Sequence, residues 1–390
     1  DMTLYYRSGG EIMNNLLSTI NYCPAIRTSR FELAALTELD KKVKQQVAPL
    51  LILRSNSESL KDIERFLSDW DGGPLFVDNS RYTLDQLSGI APLLDNSENH
   101  YEYKYNFFEN LSQLNSNIKP VVGFNALDDA RSVTQFALKV LDKFGYLGIR
   151  LEIDHIDSTN LDKKLGIFSS IMNAIPDEKI NKILLIIDIC SIEVIPSLSA
   201  ESAVMKCVNR AISYEIKNIL TLSTSWPNNR PNKNEELEIR NIDPIWQAYF
   251  AQLVNKSNPA IRCIYGDYAS TNPLRDISDD YDPAKMSLPI PFAGYAFDLG
   301  WIQYRYGKSG EWEQLIEVAK RIVETVHFKE HGENFCWGNR RIHAISRCTE
   351  EPKTNSVWNK IRINQHITLL NKLLTEDLYN KLLTPKDEDE

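Results

Sequence analysis

Ile183-Leu184-Leu185-Ile186-Ile187-Asp188 is the stretch that decides the fold. Five apolar residues in a row, three of them β-branched, read as a strand buried on both faces. A strand with one wet face would alternate apolar and polar residues. The run stops at a carboxylate. Upstream the same design recurs in Cys23-Pro24-Ala25-Ile26 before Arg27, Leu50-Leu51-Ile52-Leu53 before Arg54, and Leu75-Phe76-Val77 before Asp78. Val121-Val122-Gly123-Phe124 before Asn125 and Gly148-Ile149-Arg150-Leu151-Glu152 follow. Downstream come Ile219-Leu220-Thr221-Leu222 before Ser223 and Ile261 to Tyr265 before Asp267. Eight such runs, separated by helix-like stretches, predict an α/β chain of the (β/α)8 type, a TIM-like barrel. In that architecture the residues just past each strand line the reactive face.

The stretches between the runs carry helical spacing. Leu60, Ile63, Phe66 and Leu67 fall on one face after the second run, and Asp128-Asp129 opens a helix to Phe144. Ser80 to Asn117 is longer than one crossover helix. Its aromatic residues, Tyr101 to Phe108, suggest an inserted element. Trp226 to Ile239, rich in Pro, Asn and Glu, reads as a mobile loop. After Asp267 the pattern changes to an aromatic, strand-like Phe292 to Tyr306, a helix over Gly310 to Val326, paired strands over Asn334 to Cys348, and a helix over Val357 to Leu374. The predicted organisation is an N-terminal segment over 1–21, a barrel over 22–270, an α+β extension over 271–383 packed on it, and an acidic tail over 384–390. The extension also has to contain the helix that completes the barrel wall.

The chain has 390 residues, 43% of them hydrophobic, and a net charge of −9. That balance gives no chain-wide attraction to nucleic acid or to an anionic membrane. No apolar run approaches the roughly 20 residues that span a bilayer. Asp1 to Asn21 lack the pattern of a signal peptide. The six cysteines form no CxxC pair and read as buried thiols of a reducing compartment, so a cytoplasmic protein is expected.

Several motifs, short but in a fixed order, resemble the beta-protein family, named for a protein of T-even bacteriophages. They are Tyr22-Cys23-Pro24-Ala25-Ile26-Arg27 followed by Glu32, Ala35 and Leu36; Ala48-Pro49-Leu50-Leu51; Tyr265-Gly266-Asp267-Tyr268 with Asn272-Pro273; Trp337-Gly338-Asn339; and Trp358 with His366. Asn272 stands where the family pattern has His, and Asn339 where it has an acid. The resemblance implies a setting in phage biology and antiviral defence rather than a reaction.

Candidate chemistry follows from the strand ends. Asp78, Glu152, Asp154, Asp188 and Asp267 would converge in one mouth, where oxygen ligands can hold Mg2+ or Mn2+ or divide into acid and base. Arg27, Arg54 and Arg150 would face the same mouth and bind phosphate or carboxylate bidentately. Acids with arginines suit a phosphorylated or nucleotide-like ligand, and hydrolysis of a phosphoester is the sharp form of that expectation. Asp188 and Asp267, assisted by Glu152, are its candidate catalytic groups. Arg27, Arg54, Asp78, Arg150, Tyr265, Trp337 and His366 are the candidate ligand-binding groups. A structural ion-pair network is the bland alternative, and a non-catalytic module that recognises a phage or host protein is the other.

Other patterns carry less. His327-Phe328-Lys329-Glu330-His331 fits H-x-x-E-H, but Gly332 ends the helix, and Glu376 or Asp377 is an unsupported third ligand, so a solvated helix terminus is the better account. Ser223, Ser225 and Ser270 have no nucleophile elbow around them. P-loop and Gly-x-Gly-x-x-Gly patterns do not occur. Trp301, Tyr304, Tyr306, Trp337, Arg340, Arg341, Trp358 and His366 could clamp bases, but more often such residues pack two layers together.

Overall fold

In a computed structural model, which describes residues 17–54, 57–80, 89–153, 158–273 and 288–383, the eight apolar runs form one closed parallel barrel. Its strands are β1 (Tyr22–Arg27), β2 (Leu50–Leu53), β3 (Leu75–Asn79), β4 (Ile118–Gly123), β5 (Leu147–Glu152), β6 (Ile183–Ser191), β7 (Asn218–Thr224) and β9 (Arg262–Asp267). Closure is between β1 and β9, with Tyr22 opposite Tyr265 and Pro24 opposite Asp267. Gly266 makes that seam possible. A Cβ there would lie 2.7 Å from the Thr221 carbonyl oxygen and 3.1 Å from that of Cys23.

Strand parity sorts the side chains into two apolar layers. Cys23, Ala25, Leu50, Phe76, Leu184 and Tyr268 belong to the barrel interior. Tyr22, Ile26, Leu51, Val77, Ile187 and Tyr265 belong to the layer between strands and helices. Leu17 and Ile20 close the bottom of the interior, and the Arg262 guanidinium donates to both of their carbonyls.

The extension adds an antiparallel sheet with the order β10 (Phe292–Phe297), β11 (Gly300–Arg305), β8 (Glu235–Arg240). All of the third strand but Arg240 falls in the segment expected to be a mobile loop. Glu235-Glu236-Leu237-Glu238-Ile239-Arg240 alternates charged and apolar residues, as a solvated edge strand does, and pairs along its whole length with β11. A second expectation also fails. Trp337–Ser346 is a helix, not paired strands. The Cys336 sulfur accepts from the Asn339 backbone N–H and caps it. Gly338 lets it approach the Ile361 carbonyl, where a Cβ would sit at 2.7 Å.

Asn355–Thr375 completes the barrel wall beside β1 and the helix Arg30–Thr37. Its Ile363, Ile367 and Leu370 join the barrel's outer layer. Trp358 and Ile361 join the core of the extension, and Leu369 and Leu373 a third cluster around Trp226 and Trp301. A helix shared by three cores is buried all round, which explains its lack of a polar stripe. Among the described residues no helix is long and apolar enough to cross a membrane.

Candidate functional site

Inside the barrel, β3, β5 and β6 bring Asp78, Arg150, Glu152 and Asp188 together. All four point inward by parity. The Arg150 guanidinium donates to Asp188 Oδ2 from Nε at 2.9 Å and from Nη2 at 2.7 Å, and to Asp78 Oδ2 from Nη1 at 3.2 Å. Nη2 also lies 2.9 Å from Glu152. The Tyr268 hydroxyl donates to Asp188 Oδ2 at 2.7 Å, and the Cys190 N–H to Oδ1 at 2.8 Å. Cys190 reaches that position across a bulge with φ of 66°. Lys104 stands 3.7 Å from Asp78 and donates to Asn79. Burial works against the Arg150 charge, but Asp188, Glu152 and Asp78 outweigh it and hold the guanidinium well above its ordinary value. Asp188 therefore accepts four hydrogen bonds, and both of its oxygens are committed.

Asp267 is on the other side of the wall. It shares the parity of Tyr265, and its carboxylate faces the helices. The Tyr22 hydroxyl donates to Oδ1 at 2.5 Å, the Ala269 N–H to Oδ1 at 2.9 Å, and the Tyr265 hydroxyl to Oδ2 at 3.2 Å. His366, from Asn355–Thr375, lies with Nε2 2.7 Å from Oδ2. The Trp301 indole N–H points to His366 Nδ1 at 3.3 Å and to Ser270 Oγ at 2.9 Å. An indole only donates, so Nδ1 accepts, and the imidazole proton sits on Nε2 and is given to Asp267. Burial, and then the Asp267 charge, push both tyrosines well up, so both are hydroxyl donors. The expected convergence of strand-end groups thus holds for Asp78, Arg150, Glu152 and Asp188. It does not hold for Asp267, because one residue of parity separates the two faces of a strand; the candidate ligand groups Tyr265 and His366 stand with Asp267 on the outer face. Asp154 lies outside the described residues.

Asp243 belongs to the same outer layer and is not marked by any sequence motif. It accepts from Ser223 Oγ at 2.6 Å, from Ser225 N–H at 2.8 Å and from Ser225 Oγ at 2.9 Å. Burial raises its carboxyl to about 6 against those hydrogen bonds, with Asp267 adding to the rise. Ser223 and Ser225 are thereby spent on holding the helix Asp243–Ser257 to β7.

A cavity of about 320 Å3 opens at the C-terminal end of the strands, under the extension. Four arginines line it. Arg27 ends β1 and Arg54 follows β2, both on the inward parity; Arg230 comes from the β7–β8 connection, and Arg362 from Asn355–Thr375. Glu32 is the one carboxylate among its described lining residues. It accepts the Arg27 backbone N–H at 2.8 Å. Burial raises its carboxyl, opposed by Arg27 and Arg54. Arg362 lies 4.3 Å over the Trp226 ring, and Arg230 4.9 Å over Phe292, so packing orients both guanidinium groups. Asn272 also lines the cavity, and its amide donates to the Trp226 carbonyl at 2.8 Å and Ser191 Oγ at 2.9 Å. The residue at the family's His position therefore braces the mouth. Of the predicted ligand groups, Arg27 and Arg54 are here and Arg150 is not. Arg230 and Arg362 have no motif around them. Their only signal in sequence is position, one in a loop beyond a strand and one on a helix with several other polar residues.

Trp337 lies in the extension, with Lys360 Nζ 4.3 Å and Arg341 5.5 Å from its ring. Asn339 is buried and donates to the Gly332 carbonyl at 2.8 Å. His327 stacks on Phe297 and His331 on Phe335, 3.6 Å from Asp298. Among the described residues, no group of three or more His, Cys, Asp or Glu side chains is placed to hold a metal ion.

No curated protein matches the chain. A family model described as Beta protein matches residues 22–370, from the first residue of β1 to well into the helix that carries Arg362 and His366, and on that match the chain belongs to the Beta protein family.

Proposed function

We propose that this protein binds a phosphorylated or nucleotide-like ligand in the arginine-lined cavity at the mouth of its barrel. One observation carries the reading: among the described lining residues, four guanidinium groups and a single carboxylate surround about 320 Å3 of largely polar space at the end of the barrel where ligands gather. Hydrolysis has weaker support. Asp188 is committed to Arg150 and Tyr268, Asp267 faces the helices, and Glu152 is tied to Arg150. Binding, rather than metal-assisted cleavage, is the better account of these residues. The phage and defence setting, with the protein in the cytoplasm, comes from the family resemblance and from composition.

Recognition of a phage or host protein is the second reading, favoured by the rim. Leu127 after β4 is 86% exposed and Val194 after β6 is 76% exposed. Val194 also lines a groove of about 420 Å3. Calorimetric titration with a nucleotide panel separates the two. A charge-assisted hydrogen bond is worth about 1.5–3 kcal/mol, so Arg54→Gln or Arg230→Gln lowers affinity on the order of tenfold or more, with little change in melting temperature. Absence of binding by every phosphorylated ligand, or native affinity retained in both variants, rejects the cavity and leaves the protein-recognition reading.

A further inference from the structure

Phe31 is out of place for a core residue. It is half-buried in the first turn of Arg30–Thr37, between Arg30 and Glu32, and it lines the arginine cavity. Among the described residues its ring makes no aromatic or cation–π contact, and it belongs to none of the apolar clusters that hold the fold together. The other two rings at the cavity are used up. Trp226 and Phe292 are each 2% exposed and lie under Arg362 and Arg230. A half-buried apolar ring that lines a charged cavity, with no aromatic or cation–π partner among the described residues, has a face to offer a ligand.

The arginines define the other half of that ligand. Arg27 and Arg54 come from adjacent barrel strands, and Arg230 and Arg362 from the extension side. Guanidinium groups on two walls exceed what one phosphate can accept bidentately, and match a chain of two or three phosphates. We infer that the ligand class is a nucleoside di- or triphosphate, its phosphates between the arginines and its base stacked on Phe31. Every base has a face to stack, so the contact with Phe31 adds similar affinity for purines and pyrimidines. This inference rests on the cavity being the binding site, and its test keeps the two apart.

The full-length chain is titrated by calorimetry, in chelator and at fixed ionic strength, with orthophosphate, tripolyphosphate, ATP, GTP and CTP. The expected order is nucleotides over tripolyphosphate by about tenfold, and tripolyphosphate over orthophosphate, with the three nucleotides within a few-fold of one another. Phe31→Leu removes the ring while keeping an apolar side chain. It brings the nucleotides down to the tripolyphosphate affinity and leaves tripolyphosphate unchanged. Tripolyphosphate binding as tightly as ATP in the native protein overturns the role of Phe31 while the cavity stands, and so does a gap that survives in Phe31→Leu. Strong preference for one base overturns the expected similarity of the bases. No binding by any of the five overturns the cavity and this inference together.

Discussion

Asp188 and Asp267 each lie in the C-terminal half of a parallel strand of the same barrel, and each accepts four hydrogen bonds, yet they stand on opposite sides of the wall. Asp188 looks inward and meets a permanent cation, Arg150, with Asp78 and Glu152 as competitors for it. Asp267 looks outward and meets two tyrosine hydroxyls and the His366 imidazole. The inner network is built on a guanidinium ion pair and the outer one on hydrogen bonds from hydroxyl, imidazole and backbone donors. They should therefore fail differently. The inner one fails abruptly when its cation goes; the outer one loses strength in increments and responds to pH.

Loss of Arg150 has the largest expected effect. Arg150→Met keeps most of the volume and leaves Asp78 and Asp188, 0% and 1% exposed, without their common cation. Breaking a buried pair on one side costs about 3–5 kcal/mol. Urea denaturation at neutral pH should show that loss directly as a lower midpoint. A variant as stable as the parent at pH 7 would mean that the carboxylates are not buried as a set.

That contrast also shows how far sequence carries. The eight strands are legible because a short, mostly apolar run of three to five residues with a polar stop, repeated between helix-like stretches, has few other uses in a chain of this length. The network around Arg150 is half legible: Arg150 and Asp188 both interrupt or close apolar strand-like runs, but that each satisfies the other depends on the inward parity of both. Asp267 is misplaced by the same reasoning, since position at a strand end says nothing about which face the side chain takes. Glu235–Arg240 alternates as an edge strand does, but the Pro and Asn before it hide the signal, and its partner β11 is some sixty residues away. Arg230 and Arg362 reach the cavity only through the extension's docking on the barrel, a tertiary fact with no local sequence mark.

Asp243 sharpens the comparison from the outer side. Its carboxyl is at about 6 in the folded protein and at the ordinary aspartate value of 3.8 in the unfolded chain. Below 3.8 both states are protonated and the group has no effect. Between 3.8 and about 6 the folded state keeps a proton that the unfolded state has released, so stability falls as pH rises through that window. Above about 6 the loss is complete. At 1.36 kcal/mol per pH unit it amounts to about 3 kcal/mol. Asp243→Asn cannot ionise, and its urea midpoint should fall less than the parent's between pH 4 and pH 6.5. Parallel curves for the two proteins would show that the acid is not held in its neutral form.

The smallest effects test whether the wall separates the two networks at all. Tyr268→Phe deletes a hydroxyl that serves Asp188, and Tyr22→Phe one that serves Asp267. Each should cost about 1–3 kcal/mol, as hydrogen bonds to charged groups do. The two hydroxyls share no acceptor, so the double variant should equal the sum within about 0.5 kcal/mol. Tyr22→Phe with His366→Phe is the control, because both remove a donor from Asp267 while the second keeps a ring against Trp301. There the losses should not add, with a coupling of about 0.5–3 kcal/mol. Tyr268 follows Asp267 directly in the chain, so backbone strain is the one route by which the inner variant could reach the outer carboxylate. Coupling of Tyr268 to Tyr22 as large as that of His366 to Tyr22 would mean that β9 moves as a unit and transmits a change at the mouth to the helix that carries Arg362.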